Sequence, residues 1–136
     1  MVMREDFANA IPALEKLTSS RSNDPDVFNF LGFSLRKTGK LDEAKLAYER
    51  ALSLSPNHRG ANEYMGELYL MLNDLPKAEE HLAKLDRLCF FGCEEYTDLK
   101  QAIAQYKAKK GLAQRAAATA DTGSKADSGG MADPMR

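Results

Sequence analysis

The chain has 136 residues, of which 43% are hydrophobic, so we expect one domain of ordinary size with a packed core. Lysine and arginine number 19 against 20 aspartate and glutamate residues, which gives a net charge of −1. This balance provides no electrostatic basis for a dedicated nucleic-acid binder. No apolar run approaches the roughly 18 residues that a membrane span needs. We therefore expect neither a nucleic-acid partner nor a membrane span.

Apolar residues between positions 4 and 110 recur at helical spacing, and no stretch alternates as a half-buried strand does. The sequence thus predicts six helices and an all-α fold. The first helix, residues 4–20, contains Pro12, which removes one backbone hydrogen bond. We expect this helix to kink at Pro12 or to begin later, near Asn9.

Local signals mark the ends of the helices that follow. Asp24 and Asp74 are N-cap residues, each followed by a proline in the first helical turn. Gly39 follows two basic residues, as is typical of the glycine after a helix, and Pro56 stops the helix before it. These signals predict two helix pairs between residues 25 and 92.

An offset of 34 residues relates the two pairs to each other. Gly32 aligns with Gly66, and the same offset places Ala44 on Ala78. Glycine in the middle of a helix costs about 1 kcal/mol relative to alanine, so it needs a packing reason. Small residues at these four positions would let a partner helix approach closely.

This pattern resembles the tetratricopeptide repeat, as it occurs in small bacterial proteins of that family. Residues 25–58 match the family pattern at Phe28, Leu31, Gly32, Ala44, Tyr48, Ala51 and Pro56, and Leu35 stands where the family has an aromatic residue. Residues 59–92 match at Met65, Gly66, Tyr69, Ala78 and Leu82 and depart from the pattern at Asn62, Leu85 and Phe90. The resemblance implies antiparallel helix pairs, stacked as a short right-handed α-solenoid.

The first helix resembles the second helix of a partial repeat, because the offset of 34 places Ala10 on Ala44 and Leu14 on Tyr48. After the repeats, residues 94–109 carry one apolar stripe and are predicted to be a C-terminal capping helix. The predicted helical domain, residues 4–110, thus comprises a partial repeat at 4–20, repeats at 25–58 and 59–92, and the cap at 94–109. Residues 111–136 are dominated by Ala, Gly, Ser and Thr, which predicts a flexible tail.

In tetratricopeptide proteins, the first helices of the pairs line a concave face that binds extended peptides. The resemblance implies that this groove is lined here by Asn29, Phe33, Arg36, Lys37, Glu63, Glu67, Leu70 and Met71. Chaperone-binding members use Lys, Arg and Asn at such positions to clamp a C-terminal carboxylate. This sequence keeps Asn29, but Glu63 and Glu67 replace the bases and lie one turn apart, so their charges add. We expect a basic group on the partner, and the alternative is a solvated helix face without a ligand.

Two cysteines, Cys89 and Cys93, enclose Phe90, Phe91 and Gly92. A disulfide requires Cα atoms within about 6–7 Å, and it would fix the turn before the cap. Two free, partly buried thiols are the second interpretation. A metal such as Cu(I) is the third, although two cysteines supply half of a closed zinc site. We expect both phenylalanines to belong to the core. An oxidised bridge would favour the bacterial periplasm, and reduced thiols the cytoplasm.

No catalytic constellation accompanies these residues. The sequence has no Ser/His/Asp arrangement, phosphate-binding glycine loop or metalloprotease helix, and we expect His58 and His81 at the surface. We therefore predict a non-enzymatic interaction module, without metal or cofactor, that binds a protein or peptide segment in its concave groove. One alternative is a thiol-redox or metal-handling adaptor that acts through Cys89 and Cys93. Another is a self-assembling subunit, a homo-oligomer formed through an apolar flank on helix 4–20.

Overall fold

The computed structural model describes residues 4–121 and, among these, the side chains of residues 6–112. The helices are α1 (Arg4–Ser20), α2 (Pro25–Lys37), α3 (Leu41–Leu54), α4 (Arg59–Met71), α5 (Leu75–Leu88) and α6 (Glu94–Asp121). The described part of the chain contains no strand, and the all-α fold predicted from the sequence is confirmed. The chain divides into two units after Ile103, and the first unit holds α1 to α5 with the beginning of α6.

Neighbouring helices pack in chain order within the first unit. α2 packs on α3 and α4 on α5, so each of these pairs is a helical hairpin. α1 packs on α2, α3 on α4, and α2 also contacts α4. The largest fully buried apolar side chains are Tyr48, Leu68, Leu85 and Leu99. The first helices of the two hairpins therefore lie side by side, which is the arrangement that builds a helical solenoid.

Both mid-helix glycines lie at helix contacts, as the sequence predicts. A Cβ atom on Gly32 would come within 2.6 Å of the Tyr48 ring on α3. A Cβ atom on Gly66 would come within 2.6 Å of Leu99 on α6 and 3.4 Å of the Cβ atom of His81 on α5. Gly32 therefore lets α3 approach α2, and Gly66 lets α6 approach α4, more closely than alanine would allow.

The turns within the two hairpins have the same backbone geometry 34 residues apart. Gly39 and Asn73 both adopt positive φ, at 85° and 61°. The amide of Lys40 donates to the Leu35 carbonyl at 2.8 Å, and one repeat later the same bond joins Asp74 to Tyr69 at 2.8 Å. These bonds satisfy carbonyls at the helix end that would otherwise lack a donor. Asn is one of the few residues other than glycine that tolerates this conformation, so the turn survives the substitution.

Side-chain caps begin three of the helices. Asp24 accepts a hydrogen bond from the Asp26 amide at 3.0 Å, and Asp74 accepts one from the Lys77 amide at 3.2 Å. Both caps were predicted. The cap of α4 is His58, whose Nδ1 accepts from the Ala61 amide at 3.0 Å.

α1 spans Arg4–Ser20, the predicted bounds, and continues through Pro12. Of the two outcomes expected for Pro12, the late start near Asn9 is wrong. Proline costs a helix interior about 3 kcal/mol. The packing of α1 on α2, where Ile11 is buried, offsets this cost.

The last helix continues to Asp121, beyond the predicted end at residue 109. The predicted tail at 111–136 therefore begins within a helix, and its remainder, residues 122–136, lies outside the described residues. Composition misplaced this boundary because alanine, which is frequent after Gly111, is the strongest helix former.

Candidate functional site

The side of the first unit formed by α2 and α4 carries a cluster of aromatic and charged side chains. The Arg36 guanidinium lies 5.2 Å from the centre of the Phe33 ring and 5.7 Å from that of Tyr64. The Lys37 ammonium lies over the same Phe33 ring at 5.3 Å. Cation–π contacts of this length contribute about 0.5–2 kcal/mol each, so the rings hold both cations on this face.

Arg36 also joins α2 to α4. Its Nη1 lies 3.3 Å from Oε1 of Glu67 and 3.9 Å from the Met71 sulfur. The Arg36 and Glu67 side chains are only 10% and 20% exposed. The negative charge predicted at Glu67 is therefore matched by a base on the neighbouring helix.

Glu63 differs from its predicted state. It is 8% exposed, and burial raises the pKa of its carboxyl to about 9. A hydrogen bond to Glu67 and the charge of Glu67 add to the rise, followed by the charges of Asp98 and Glu95. At neutral pH Glu63 is thus protonated. The expectation that Glu63 and Glu67 add two negative charges is not met, since one carboxyl is neutral and the other is paired.

The remaining predicted groove residues divide by exposure. Lys37 is exposed and Met71 is 49% exposed, while Leu70 and Asn29 are buried. The Oδ1 atom of Asn29 has no hydrogen-bond partner within the described part of the chain. Phe33 is half-buried, so the open predicted positions are an aromatic ring, a cation and a thioether.

A groove that the sequence did not single out begins at Phe33. It has a volume of about 510 Å³ and is lined by Asp6, Phe7, Ala10, Ala13, Leu14, Phe30, Phe33, Ser34 and Tyr64. The Phe33 ring stands 5.4 Å from Phe7 and 4.9 Å from Tyr64 between ring centres. We call this surface the aromatic groove. It runs between α1 and α2. At one end it adjoins the Arg36 cluster, as we call Arg36 with the Phe33 and Tyr64 rings and Lys37.

The repeat register contained the signal for this groove. Ala44 and Tyr48 are fully buried on α3, where α2 covers them. The aligned residues on α1, Ala10 and Leu14, are only half-buried and line the aromatic groove instead. A face that is core in the complete hairpin is thus open on α1.

Residues 35–88, from within α2 to the end of α5, match the family model described as tetratricopeptide repeat. This segment belongs to the tetratricopeptide repeat family. The match over this segment supports a protein–protein interaction module rather than an enzyme.

The chain is also similar to a solved structure, the type III secretion translocator chaperone SycD of Yersinia enterocolitica in an alternative dimer. The sequences are 21% identical, and the match has a TM-score of 0.69 over 78% of this chain and 83% of that chain. This likeness shows the tetratricopeptide-like solenoid fold. No curated protein sequence matches the chain.

The second tetratricopeptide hairpin contains a buried polar network where the first has an aromatic residue. Asn62, which aligns with Phe28, is fully buried. Its amide donates to the carbonyls of Pro56 at 3.1 Å and His58 at 2.8 Å. Its Oδ1 lies 3.0 Å from Nδ1 of His81, which therefore donates to it. Asn62 thus fastens the inter-repeat turn to both helices of the second hairpin.

The two histidines have structural roles in this network. His81 stacks on Tyr69, and burial, followed by the charge of Lys84, lowers the pKa of His81. Since Nδ1 of His58 accepts the capping bond, its Nε2 carries the proton and donates to Asp26 at 2.6 Å. His58 and His81 are both half-buried, whereas the sequence predicted surface positions for them.

The turn after the second hairpin contains a disulfide between Cys89 and Cys93, with Cα atoms 5.6 Å apart. α5 ends at Leu88, and Gly92 adopts φ of 92° within the loop. Phe90 and Phe91 are 85% and 95% exposed, so their predicted place in the core is wrong. A tight loop after the helix end points both rings to solvent. The thiol-redox and metal-handling alternatives remain predictions.

No group of three or more His, Cys, Asp or Glu side chains among the described residues is arranged to hold a metal ion. The described helices also include none that is both long and apolar enough to cross a membrane.

Proposed function

We propose that this protein binds a segment of a partner protein along α1, α2 and α4, with apolar side chains of that segment in the aromatic groove. The observation that supports this is an open, aromatic-lined groove of about 510 Å³ beside the Arg36 cluster. Protein recognition sites are commonly concave and apolar with a few fixed polar groups. The contact between α2 and α4 holds the two halves of the site in fixed positions, so little ordering is needed on binding.

The predicted groove residues form the polar end of this proposed site. Phe33 belongs to both parts, since it lines the aromatic groove and carries Arg36 over its ring. A partner chain that passes from the groove towards Met71 would cross the Arg36–Glu67 ion pair. Because the two charges are paired with each other, this passage is polar without a net charge, which suits a peptide backbone or a polar side chain.

The preference for a basic partner stays a prediction, but the negative charge that would attract this partner lies on other residues than Glu63. Glu63 is protonated at neutral pH, but Glu95 and Asp98 lie close enough to raise its pKa. These two carboxylates on α6 supply the negative potential that Glu63 does not. We expect a Lys or Arg of the partner on this side, with a modest gain in affinity, because exposed charges are screened by salt.

A selection experiment tests the proposed site. A random peptide library displayed on phage is selected on the full protein, and the enriched peptides are synthesised and titrated against variants. Ala13→Arg places a charged side chain in the aromatic groove at an exposed position, so folding is unaffected. We expect enriched peptides to be rich in apolar residues and to lose about tenfold or more in affinity for this variant.

The matched control is Ala83→Arg, an equal change at an exposed position of α5 outside the groove. It should leave peptide affinity unchanged. Failure to enrich any peptide would refute recognition of a foreign segment. Equal affinities of the enriched peptides for the wild type and Ala13→Arg would refute the aromatic groove as the place where they bind.

A further inference from the structure

The loop closed by the disulfide presents the two most exposed large apolar side chains of the described residues, Phe90 and Phe91. Their ring centres are 4.9 Å apart in an edge-to-face arrangement. The bond between Cys89 and Cys93 closes the loop around them. Exposed aromatic pairs on a constrained loop are costly in water and are typical anchors of protein interfaces. We call this feature the Phe90–Phe91 loop.

The aromatic groove has the volume and the aromatic lining to receive these rings. A cavity of about 150 Å³ holds one benzene molecule, so a groove of about 510 Å³ has room for two phenyl rings. Its aromatic lining offers the edge-to-face contacts that such rings prefer. The exposure of Phe90 and Phe91 shows that a molecule's own loop does not fill its own groove.

The aromatic groove and the Phe90–Phe91 loop lie at different places on one molecule. The groove lies at α1, the first helix in the packing order, and the loop follows α5. A net charge of −1 produces little repulsion between copies. A contact with anionic lipid is disfavoured, because Glu94 and Glu95 follow the loop directly. These observations favour a second copy of this chain as the partner of the loop.

We propose that the Phe90–Phe91 loop of one molecule docks in the aromatic groove of a second copy. This rests on the proposed function, because it names an occupant for the same groove. The two surfaces differ, so the contact is heterologous and each dimer keeps one free loop and one free groove. Association continues head to tail, and its small contact area makes it weak and concentration-dependent.

Two variants that each lose one side of the contact test this proposal. Phe90→Ser with Phe91→Ser removes the loop rings but keeps the groove, and Ala13→Arg blocks the groove but keeps the loop. Sedimentation velocity over an about 100-fold concentration range should show rising mass for the wild type, since weak interfaces fill by mass action. Each variant alone should remain monomeric. Their equimolar mixture should form a one-to-one dimer that does not grow.

The matched control is Leu46→Ser, which removes a side chain on α3 that is 67% exposed and belongs to neither surface. It should associate as the wild type does. A wild type that stays monomeric, a loop variant that associates normally, or a mixture that stays monomeric would overturn the proposal. The proposal is also overturned if the wild type binds phosphatidylcholine vesicles, the loop variant does not, and the two have the same mass in sedimentation. That result would assign the loop to a lipid surface.

The two proposals fail separately. If selected peptides bind the wild type and lose affinity for Ala13→Arg while the variant mixture stays monomeric, the proposed function stands and self-docking is overturned. If the mixture pairs but no peptide is enriched, self-docking stands and recognition of a foreign segment is refuted.

Discussion

α1 and α3 present the same repeat positions in opposite states. On α3, Ala44 and Tyr48 have no exposed surface, because α2 lies across them. On α1, the aligned Ala10 and Leu14 are half-buried and line the aromatic groove. One repeat position is therefore core on α3 and open on α1. A repeat unit cannot bury its apolar face alone, and its uncovered face becomes available to a partner.

An alanine-to-leucine substitution at the aligned positions of α1 and α3 should show the difference between the two helices most clearly. Ala44→Leu adds three carbon atoms to a fully buried contact, and we expect it to lower the free energy of unfolding by about 3 kcal/mol. Ala10→Leu adds the same atoms at the aligned position and should change it by less than about 0.5 kcal/mol, because the groove has room. Urea unfolding followed by circular dichroism measures both.

Ala83→Leu, an addition at an exposed site on α5, controls for the effect of leucine on a helix. Equal losses for Ala44→Leu and Ala10→Leu would mean that α1 is covered in solution and that the groove is closed.

The parts of this fold that depend on local chemistry could be predicted from the sequence. Asp24 and Asp74 cap helices because a short acidic side chain reaches the first-turn amides wherever such a helix starts. Gly32 and Gly66 identified close contacts because glycine is unfavourable within a helix unless something needs the space. The roles of these residues follow from their own chemistry and do not depend on which distant residues they contact.

The protonation of Glu63 and the exposure of Phe90 and Phe91 could not be predicted, because they depend on tertiary contacts that the spacing of residues in the sequence does not show. Glu63 lies one turn from Glu67, as predicted, but its protonation follows from burial and from Asp98 and Glu95 on α6. Phe90 and Phe91 were misplaced because apolar residues are usually buried, and only the tight loop exposes them.

The buried proton on Glu63 makes the free energy of unfolding depend on pH. Its folded-state pKa of about 9 lies above the ordinary value of 4.5, so the folded state binds this proton more tightly than the unfolded chain does. Its contribution to stability is complete below pH 4.5 and is lost as pH rises towards 9. Glu63→Gln keeps the donor without the titration. We expect it to raise the free energy of unfolding by at least about 2 kcal/mol at pH 8 and hardly at all at pH 4.

Glu67→Gln is the control for this experiment. It removes the partner of Arg36 and also one cause of the raised Glu63 pKa, so we expect no gain in stability at pH 8 comparable to that of Glu63→Gln. Chemical unfolding of both variants at several pH values gives the comparison. A Glu63→Gln variant as stable as the wild type from pH 4 to pH 9 would show that Glu63 is an ordinary ionised carboxylate.

The disulfide closes the Phe90–Phe91 loop, which directly follows the last helix of the second hairpin. Cys89→Ser with Cys93→Ser should cost about 1–2 kcal/mol, because a short loop restricts the unfolded chain little. Reductant should lower the urea midpoint of the wild type by a similar amount and leave that of the double variant unchanged. Since Ala10 and Ala44 lie on helices outside this loop, the difference between their leucine variants should be the same with and without reductant. If reductant changed the difference in unfolding free energy between the two leucine variants, the disulfide loop would be energetically coupled to α1 or α3.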